Sequence, residues 1–345
     1  MNNFCRVLLF AALAAIGGSN AANDLTDKVV VITGATSGIG QATAEHLASL
    51  GASVVVSGRR QDRGEAVAAA CKAAGGKAIF VKTDISKDAD VANLFAQAKD
   101  AFGHVDSVFA NAGVLAEQAS SILDDETGPG AIEKTIAVNA IGTTYTVRHA
   151  LKHVTDGGSI ILTSSGGGSV PSGAFAGILP AESAINVYGA TKGYVDAYGR
   201  ALATHPTIRS YTLSPLVYLS EMAAGDMAVG FAQTIHSHFK TPGDARHLAN
   251  VVDHFVAGTT VWPSGSNVVC EGKYCYDAQI RFSQLYGGNR PANPIVADVP
   301  PAALRDARGA PAGLTAETIA QIAAAEKAAW DTAAAASATE GSDEL

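Results

Sequence analysis

The chain has 345 residues, 48% hydrophobic and 16% charged, and its 24 basic against 32 acidic side chains leave a net charge of −8. Such a composition allows a large buried core and argues against wholesale disorder. An acidic chain without basic runs is a poor match for a phosphate backbone, so nucleic acid is not an expected partner. No CxxC or HExxH spacing marks a metal site, and four cysteines are too few for a disulfide scaffold.

Residues 1–21 read as a signal peptide: Arg6 supplies a positive charge, Val7 to Ile16 is almost wholly apolar, and Ser19-Asn20-Ala21 offers small residues to a peptidase. The apolar stretch falls short of the roughly 20 residues that cross a bilayer, so no membrane span is expected once it is removed. From Lys28 onward, short β-branched runs alternate with segments of helical period. Val29–Ile32 is the first expected strand, followed by a Gly-rich turn and a helix from Gly40 to Leu50. Strands at Val54–Val56, Ala78–Val81 and Val105–Ala110 alternate with helices at Glu65–Ala74 and Ala89–Phe102. A long helix over Ile132–His153 precedes strands at Ser159–Thr163 and Ile208–Leu213, which flank a helix from about Tyr188 to Thr204. Continuous apolar strands alternating with helices predict a doubly wound, mostly parallel α/β sheet, Rossmann-like, with helices on both faces. This domain is expected over residues 24–288. Two loops interrupt the rhythm, Gly166–Ala184 and Ala223–Thr241, and both are placed to meet a ligand.

Residues 289–345 form a Pro- and Ala-rich extension ending Ser342-Asp343-Glu344-Leu345. That ending is similar to the KDEL and HDEL retrieval signals, so together with the leader it predicts the endoplasmic reticulum lumen and a retrieval receptor as partner. Plain secretion is the alternative. Once the leader is gone, Cys71, Cys270 and Cys275 remain, and free buried thiols are the expectation, with a Cys270–Cys275 bridge as the other possibility.

Two motifs carry chemistry. Thr33-Gly34-Ala35-Thr36-Ser37-Gly38-Ile39-Gly40 lies between the first strand and the first helix, where glycines let a pyrophosphate reach backbone N–H groups at a helix's positive end. The second strand ends Ser57-Gly58-Arg59-Arg60, offering no carboxylate for a ribose 2′-hydroxyl but two guanidiniums for a 2′-phosphate. Arg59 is the first candidate and Arg60 the second, so NADP is expected rather than NAD. Farther on, Tyr188 and Lys192 stand four apart on one helical face, an ammonium beside a phenol that it can help to ionise.

In their order along the chain these residues resemble the short-chain dehydrogenase/reductase family, over about residues 27–273. Thr33 to Gly40 matches the family's cofactor turn, and Asp84, with Ile85 after it, falls where the family's acid contacts the adenine. Asn111-Ala112-Gly113 matches its NAG motif. Asn139, Ser165, Tyr188 and Lys192 align with its catalytic tetrad, with Ser164 the alternative to Ser165. The resemblance implies a small-molecule substrate, a homo-oligomer, and definite roles. Tyr188 would exchange the proton with the substrate oxygen, and Lys192 would lower its pKa and hold the nicotinamide ribose. Ser165 would hydrogen-bond the reacting oxygen, and Asn139 would hold a relay water.

Three departures qualify the match. Ser165 lies 23 residues before Tyr188, with the loop Gly166–Ala184 as the excess. The family's Pro-Gly after the sixth strand appears as Pro215-Leu216, which puts the turn beside the nicotinamide in question, while Tyr218 and Ser220 fall at the carboxamide-contacting positions. The extension has no family counterpart. The expected function is an NADP-dependent oxidoreductase interconverting an alcohol and a carbonyl. Its substrate would be hydrophobic, in keeping with Phe175, Ile178 and Leu179 in the first loop. The alternatives are an NADP-binding or sensing protein without turnover, and a dehydratase or epimerase on the same fold.

Overall fold

The structure is a computed structural model, and it describes residues 23–115, 121–125, 128–169, 183–218, 220, 222, 243–260, 262–271 and 274–277. The leader, most of both interrupting loops and the whole C-terminal extension lie outside the described residues.

Among the described residues, eight strands form one sheet in the order β3-β2-β1-β4-β5-β6-β7-β8. They are β1 (Val29–Thr33), β2 (Ser53–Gly58), β3 (Lys77–Lys82), β4 (Val105–Ala110), β5 (Val154–Thr163), β6 (Arg209–Pro215), β7 (Asn267–Glu271) and β8 (Tyr274–Asp277). The first seven run parallel, and β8 returns antiparallel to β7 as an edge hairpin. The sequence reading lacked β8. The helices are α1 (Gly38–Ser49), α2 (Gln61–Ala73), α3 (Asp88–Phe102), α4 (Gly128–Ile136), α5 (Thr143–His153), α6 (Gly166–Ser169), α7 (Ala184–Leu202) and α8 (Ala245–Ala257).

Burial explains the strands. All five residues of β1 are buried, as expected of a central strand covered on both faces, and its side chains split between two cores. Val30 and Ile32 join Leu47, Val67 and Phe255 beneath α1, α2 and α8. Val31 joins Val55, Phe95, Val147 and Val195 beneath α3, α5 and α7. The long helix expected over Ile132–His153 is in fact α4 and α5 joined by a π-helical turn, Ala137–Gly142. A π turn widens the ring by one residue and is invisible to a 3.6-residue period. Helix α8 was also missed, although its ends are marked: Asp244 caps it by accepting from the Arg246 N–H at 2.9 Å, and Gly258 closes it in the left-handed region. Asn23 donates to Asp253 on α8 at 2.9 Å, and the other oxygen of that carboxyl meets His46 on α1 at 2.6 Å. The described chain is thereby pinned at its start to the α1–α8 layer.

One expectation about the cysteines is corrected. Cys270 and Cys275 are not free thiols but a disulfide, formed because β7 and β8 set them directly opposite each other with their Cα atoms 4.2 Å apart. The edge hairpin that creates this pairing had not been read from the sequence. Cys71 is a free buried thiol, pushed up to about 12 by burial and the nearby Glu45 charge, and is therefore inert. No helix of the described residues is long and apolar enough to cross a membrane. Replacing both Cys270 and Cys275 by alanine should cost about 2 kcal/mol, the chain-entropy value for so short a loop. Thermal unfolding should then show Tm lower by roughly 4–8 °C.

Candidate active site

Sheet order reverses between β1 and β4, and the cleft opens where the carboxyl ends of β1, β4, β5 and β6 line up. It has a volume of about 400 Å³. Along it stand Gly34, Thr36, Ser37, Gly38, Ile39, Arg59, Arg60, Asp84, Ile85, Asn111, Ala112, Gly113, Ser165, Tyr188, Lys192, Pro215, Tyr218 and Ser220. Of the candidate site residues read from the sequence, Gly40 and Asn139 stand behind its wall, and the loop residues Phe175, Ile178 and Leu179 lie outside the described residues.

Its floor is a set of backbone contacts that tolerate no side chain. Gly34 has φ +67°, and a Cβ there would lie 2.7 Å from the Ala112 Cα, so the Gly-rich turn rests directly on the strand end after β4. Thr33 Oγ1 accepts from the N–H groups of both Asn111 and Ala112 at 3.1 Å, while the Asn111 amide donates back to the Thr33 carbonyl at 3.1 Å. Gly40 is buried against the Gly34 carbonyl, 2.5 Å from where its Cβ would lie. Ser37 precedes α1 without capping it, which leaves the first N–H groups of that helix facing the cleft. Ser220, from the loop after β6, comes over Gly38 and encloses this end.

At the far end of β2, Gly58 is pressed against Thr36: a Cβ there would come within 2.7 Å of the threonine methyl. Arg60 donates to Thr36 Oγ1 at 3.0 Å and to Ser37 Oγ at 2.7 Å. The arginine ranked second in the sequence is thus the one bound to the turn, while the Arg59 charge acts on Asp84. Burial pushes the Asp84 carboxyl up, but hydrogen bonds from Ser86 and the charges of Arg59 and Lys87 outweigh it and hold it below the usual range.

The other end of the cleft holds the proton-transfer candidates. Ser164 and Ser165 emerge from β5, and the structure separates their duties. The Ser164 hydroxyl donates to the Lys192 carbonyl at 2.9 Å, anchoring α7, whereas the Ser165 hydroxyl hydrogen-bonds the Tyr188 phenol. The buried Lys192 ammonium donates to the Thr163 carbonyl at 2.8 Å and stands 5.5 Å from the Tyr188 ring centre. Burial draws Lys192 down to about 8, against the opposing charge of Asp196 one turn farther along α7. Asp196 was missed in the sequence, although its i,i+4 spacing from Lys192 repeats the Tyr188–Lys192 interval.

Two expectations change here. Lys192 was expected to lower the Tyr188 pKa, but burial raises it, and the opposing influence is the Ser165 hydrogen bond. The ammonium is turned toward the Thr163 carbonyl rather than the phenol oxygen. Asn139, on the π turn, has both amide hydrogens committed, to the Val114 carbonyl at 2.9 Å and to Thr191 Oγ1 at 3.2 Å, and its oxygen accepts from the Val114 N–H at 2.8 Å. In this arrangement the amide clamps the strand end instead of holding a water through its nitrogen. The doubtful turn at Pro215-Leu216 is resolved without left-handed backbone: the Leu216 N–H donates to the Cys270 carbonyl at 2.9 Å. Tyr218 lines the cleft while its ring is buried against Gly243 in the core.

Parallel strands, a Gly-rich turn at a helix N-terminus and a buried Ser-Tyr-Lys group in one cleft define a dinucleotide-dependent oxidoreductase scaffold. Residues 28–225 match the family described as short chain dehydrogenase, and the chain belongs to that family. It is 33% identical over 259 residues to an uncharacterized oxidoreductase of Methylorubrum extorquens, a match covering 72% of this chain and 98% of that one. An uncharacterized oxidoreductase of Listeria innocua is 37% identical over 172 residues, which span 49% of this chain and 63% of the relative. A short chain dehydrogenase from Burkholderia cenocepacia, solved in complex with NADP, superposes with a TM-score of 0.63 at 27% identity, covering 72% of this chain and 98% of that chain.

The Lys192–Asp196 pair makes a pH prediction. Lys192 is charged below about 8 and loses its proton as pH rises through that value, so activity that needs the ammonium should decline on the alkaline side. Asp196→Asn removes the charge that favours the ammonium. The alkaline limb of the kcat/KM profile should therefore move to lower pH, with the acid side little changed.

Proposed function

We propose that the protein is an NADP-dependent oxidoreductase that interconverts an alcohol and a carbonyl, with Tyr188 as general acid and base. The observation that carries this reading is the Ser165–Tyr188–Lys192 group, buried at one end of a cleft whose other end is the open N-terminus of α1 and Arg60. The residues present fit the dinucleotide: the Gly-rich turn leaves helix N–H groups facing the cleft for a pyrophosphate. Arg60, tied to Thr36 and Ser37, stands where a 2′-phosphate would bind, and Arg59 flanks it. The contact between Gly58 and Thr36 leaves no room for the carboxylate that would select a free 2′-hydroxyl. The NADP complex of the Burkholderia relative supports the same cofactor.

When bound, the nicotinamide supplies or accepts the hydride. The chain's part is proton transfer and positioning. Ser165 donates a hydrogen bond to the substrate oxygen and orients Tyr188. Tyr188, whose pKa burial raises, gives its phenol proton to a substrate oxygen that gains negative charge in reduction and takes it back in the reverse direction. Lys192 would hold the ribose side of the cofactor and, as the nearest ammonium, would feed the proton that replaces the one Tyr188 gives up; Asn139 borders it across Gly113, where a relay to solvent would begin. Val114, Leu115, Ile185 and Met222 line the substrate side and support a hydrophobic substrate.

For the cellular setting, the Cys270–Cys275 bridge favours an oxidising compartment, and the endoplasmic reticulum lumen is the compartment we propose. The exposed Ile136, Ile141 and Tyr194 suit the homo-oligomer that the family resemblance implies.

NADPH oxidation with a panel of ketones, aldehydes and quinones tests the reading. Tyr188→Phe should lower kcat by roughly 10²–10⁴-fold while NADPH binding persists; undiminished turnover would refute the mechanism. Tight NADPH binding without turnover of any panel member would favour the sensing alternative. Arg60→Ala should raise the KM for NADPH by about ten-fold or more, the loss of one charge-assisted contact, and leave that for NADH nearly unchanged.

A further inference from the structure

The turn that follows Ser165 is built of three glycines, Gly166, Gly167 and Gly168, a stretch with little conformational preference of its own. Its shape must come from what touches it. On one side, a Cβ on Gly168 would lie 2.5 Å from the Gly193 N and the Lys192 carbonyl carbon, so the turn lies flush on the backbone of α7. On the other side, a Cβ on Gly166 would fall 2.1 Å from the Leu216 Cδ2: the leucine side chain fills the place that a side chain at 166 would take. The Gly168 N–H donates to the Ser165 carbonyl at 2.9 Å and closes the turn on Ser165 itself.

Leu216 is in turn held firmly. Its N–H donates to the Cys270 carbonyl at 2.9 Å, its neighbour Pro215 pairs with Cys270 across β6 and β7, and Cys270 is bonded to Cys275 on β8. The chain leaving β6, braced by the edge hairpin, thus presents one branched apolar side chain to a soft glycine turn.

We propose that Leu216 is a positioning residue for Ser165: wedged over Gly166, it keeps the glycine turn seated on α7 and so keeps the Ser165 hydroxyl on the Tyr188 phenol. The inference rests on the reading of Ser165 and Tyr188 as the reacting pair. A glycine at 216 would leave the turn supported on one face only. Displacement of the Ser165 hydroxyl by about 1 Å is enough to cost on the order of 10²-fold in rate.

The test uses the full-length protein labelled with 13Cζ-tyrosine, with the Tyr188 signal assigned by its loss in Tyr188→Phe. That signal reports the Ser165 hydrogen bond at neutral pH without substrate or cofactor. Ser165→Ala should shift it, Leu216→Ala should shift it in the same direction, and the double variant should match Ser165→Ala alone. Leu216→Met, which refills the space, should return it toward the wild-type position. Leu216→Val, a smaller cut, serves if the alanine variant fails to fold. An unmoved Tyr188 signal in Leu216→Ala or Leu216→Val, where Ser165→Ala moves it, would overturn the proposal, as would a silent Ser165→Ala.

Turnover of 9,10-phenanthrenequinone with NADPH provides the kinetic arm. Leu216→Ala should lower kcat about ten-fold with the KM for NADPH within about two-fold, and should have no further effect in the Ser165→Ala background. Additive losses would mean that Leu216 acts on substrate directly and would overturn the positioning role. Absence of turnover by the wild type on this quinone and on the wider panel would count against the enzymatic reading, and the tyrosine signal would still decide whether Leu216 places Ser165.

Discussion

Between β5 and α7 two hydrogen bonds cross in opposite directions: the Lys192 ammonium donates to the Thr163 carbonyl, and the Ser164 hydroxyl donates to the Lys192 carbonyl. Everything at the reactive end of the cleft depends on this exchange. An ammonium removed from water is costly unless it is hydrogen-bonded and faced by an opposite charge. The Thr163 carbonyl and Asp196 meet that need at a single place, so α7 has one favourable position on the strand end. With α7 placed, Tyr188 lies one turn before Lys192, on the side from which the Ser165 hydroxyl reaches it. The cost is a lysine held near the point of neutrality, which couples the site's charge to the surrounding pH.

The nucleotide end is organised by a different means, contact between backbones. Thr33 and Asn111 exchange hydrogen bonds across the reversal of strand order, and Gly34 and Gly40 let the turn lie against the strand end and the helix with nothing between them. That end is therefore stiff and leaves its amide groups pointing outward. The reactive end, by comparison, includes a glycine turn whose conformation depends on neighbours from β6 and α7. One cleft thus joins a preformed cradle to a site assembled from separate parts of the chain.

Much of this was legible in the sequence, and the reasons for what was not are specific. The parallel sheet and the places of its first six strands followed from buried β-branched runs, because central strands covered on both faces have no polar alternation to blur them, although β5 begins at Val154, five residues before the apolar run read from Ser159. Spacing alone brought Tyr188 and Lys192 together and placed the Gly-rich turn at a helix start. The choice of Ser165 over Ser164 came through the family resemblance, and the structure adds the distinction between their hydroxyls. What escaped reading depends on contacts between distant segments. The π turn at Ala137–Gly142 has no periodic signature, and the hairpin of β8 is too short to stand out. The disulfide follows only once that hairpin exists. Two adjacent arginines cannot be ranked from the sequence, because the bond to Thr36 depends on which guanidinium the start of α2 directs toward the turn. The Tyr188 pKa was read from the neighbouring charge, and burial, which opposes ionisation, was not visible at that level.

Gly58 has a consequence for how this cleft can change over evolutionary time. The Thr36 methyl that it faces belongs to the same side chain whose hydroxyl receives Arg60. An acidic side chain introduced at position 58 alone would displace Thr36 and loosen the guanidinium before it could offer anything to a different nucleotide. A lineage moving toward the other coenzyme would have to shrink residue 36 first, or alter both together. On the proposed NADP reading, any intermediate carrying the single acidic change would hold neither nucleotide well, so that preference would be guarded by a steric ratchet as well as by charge.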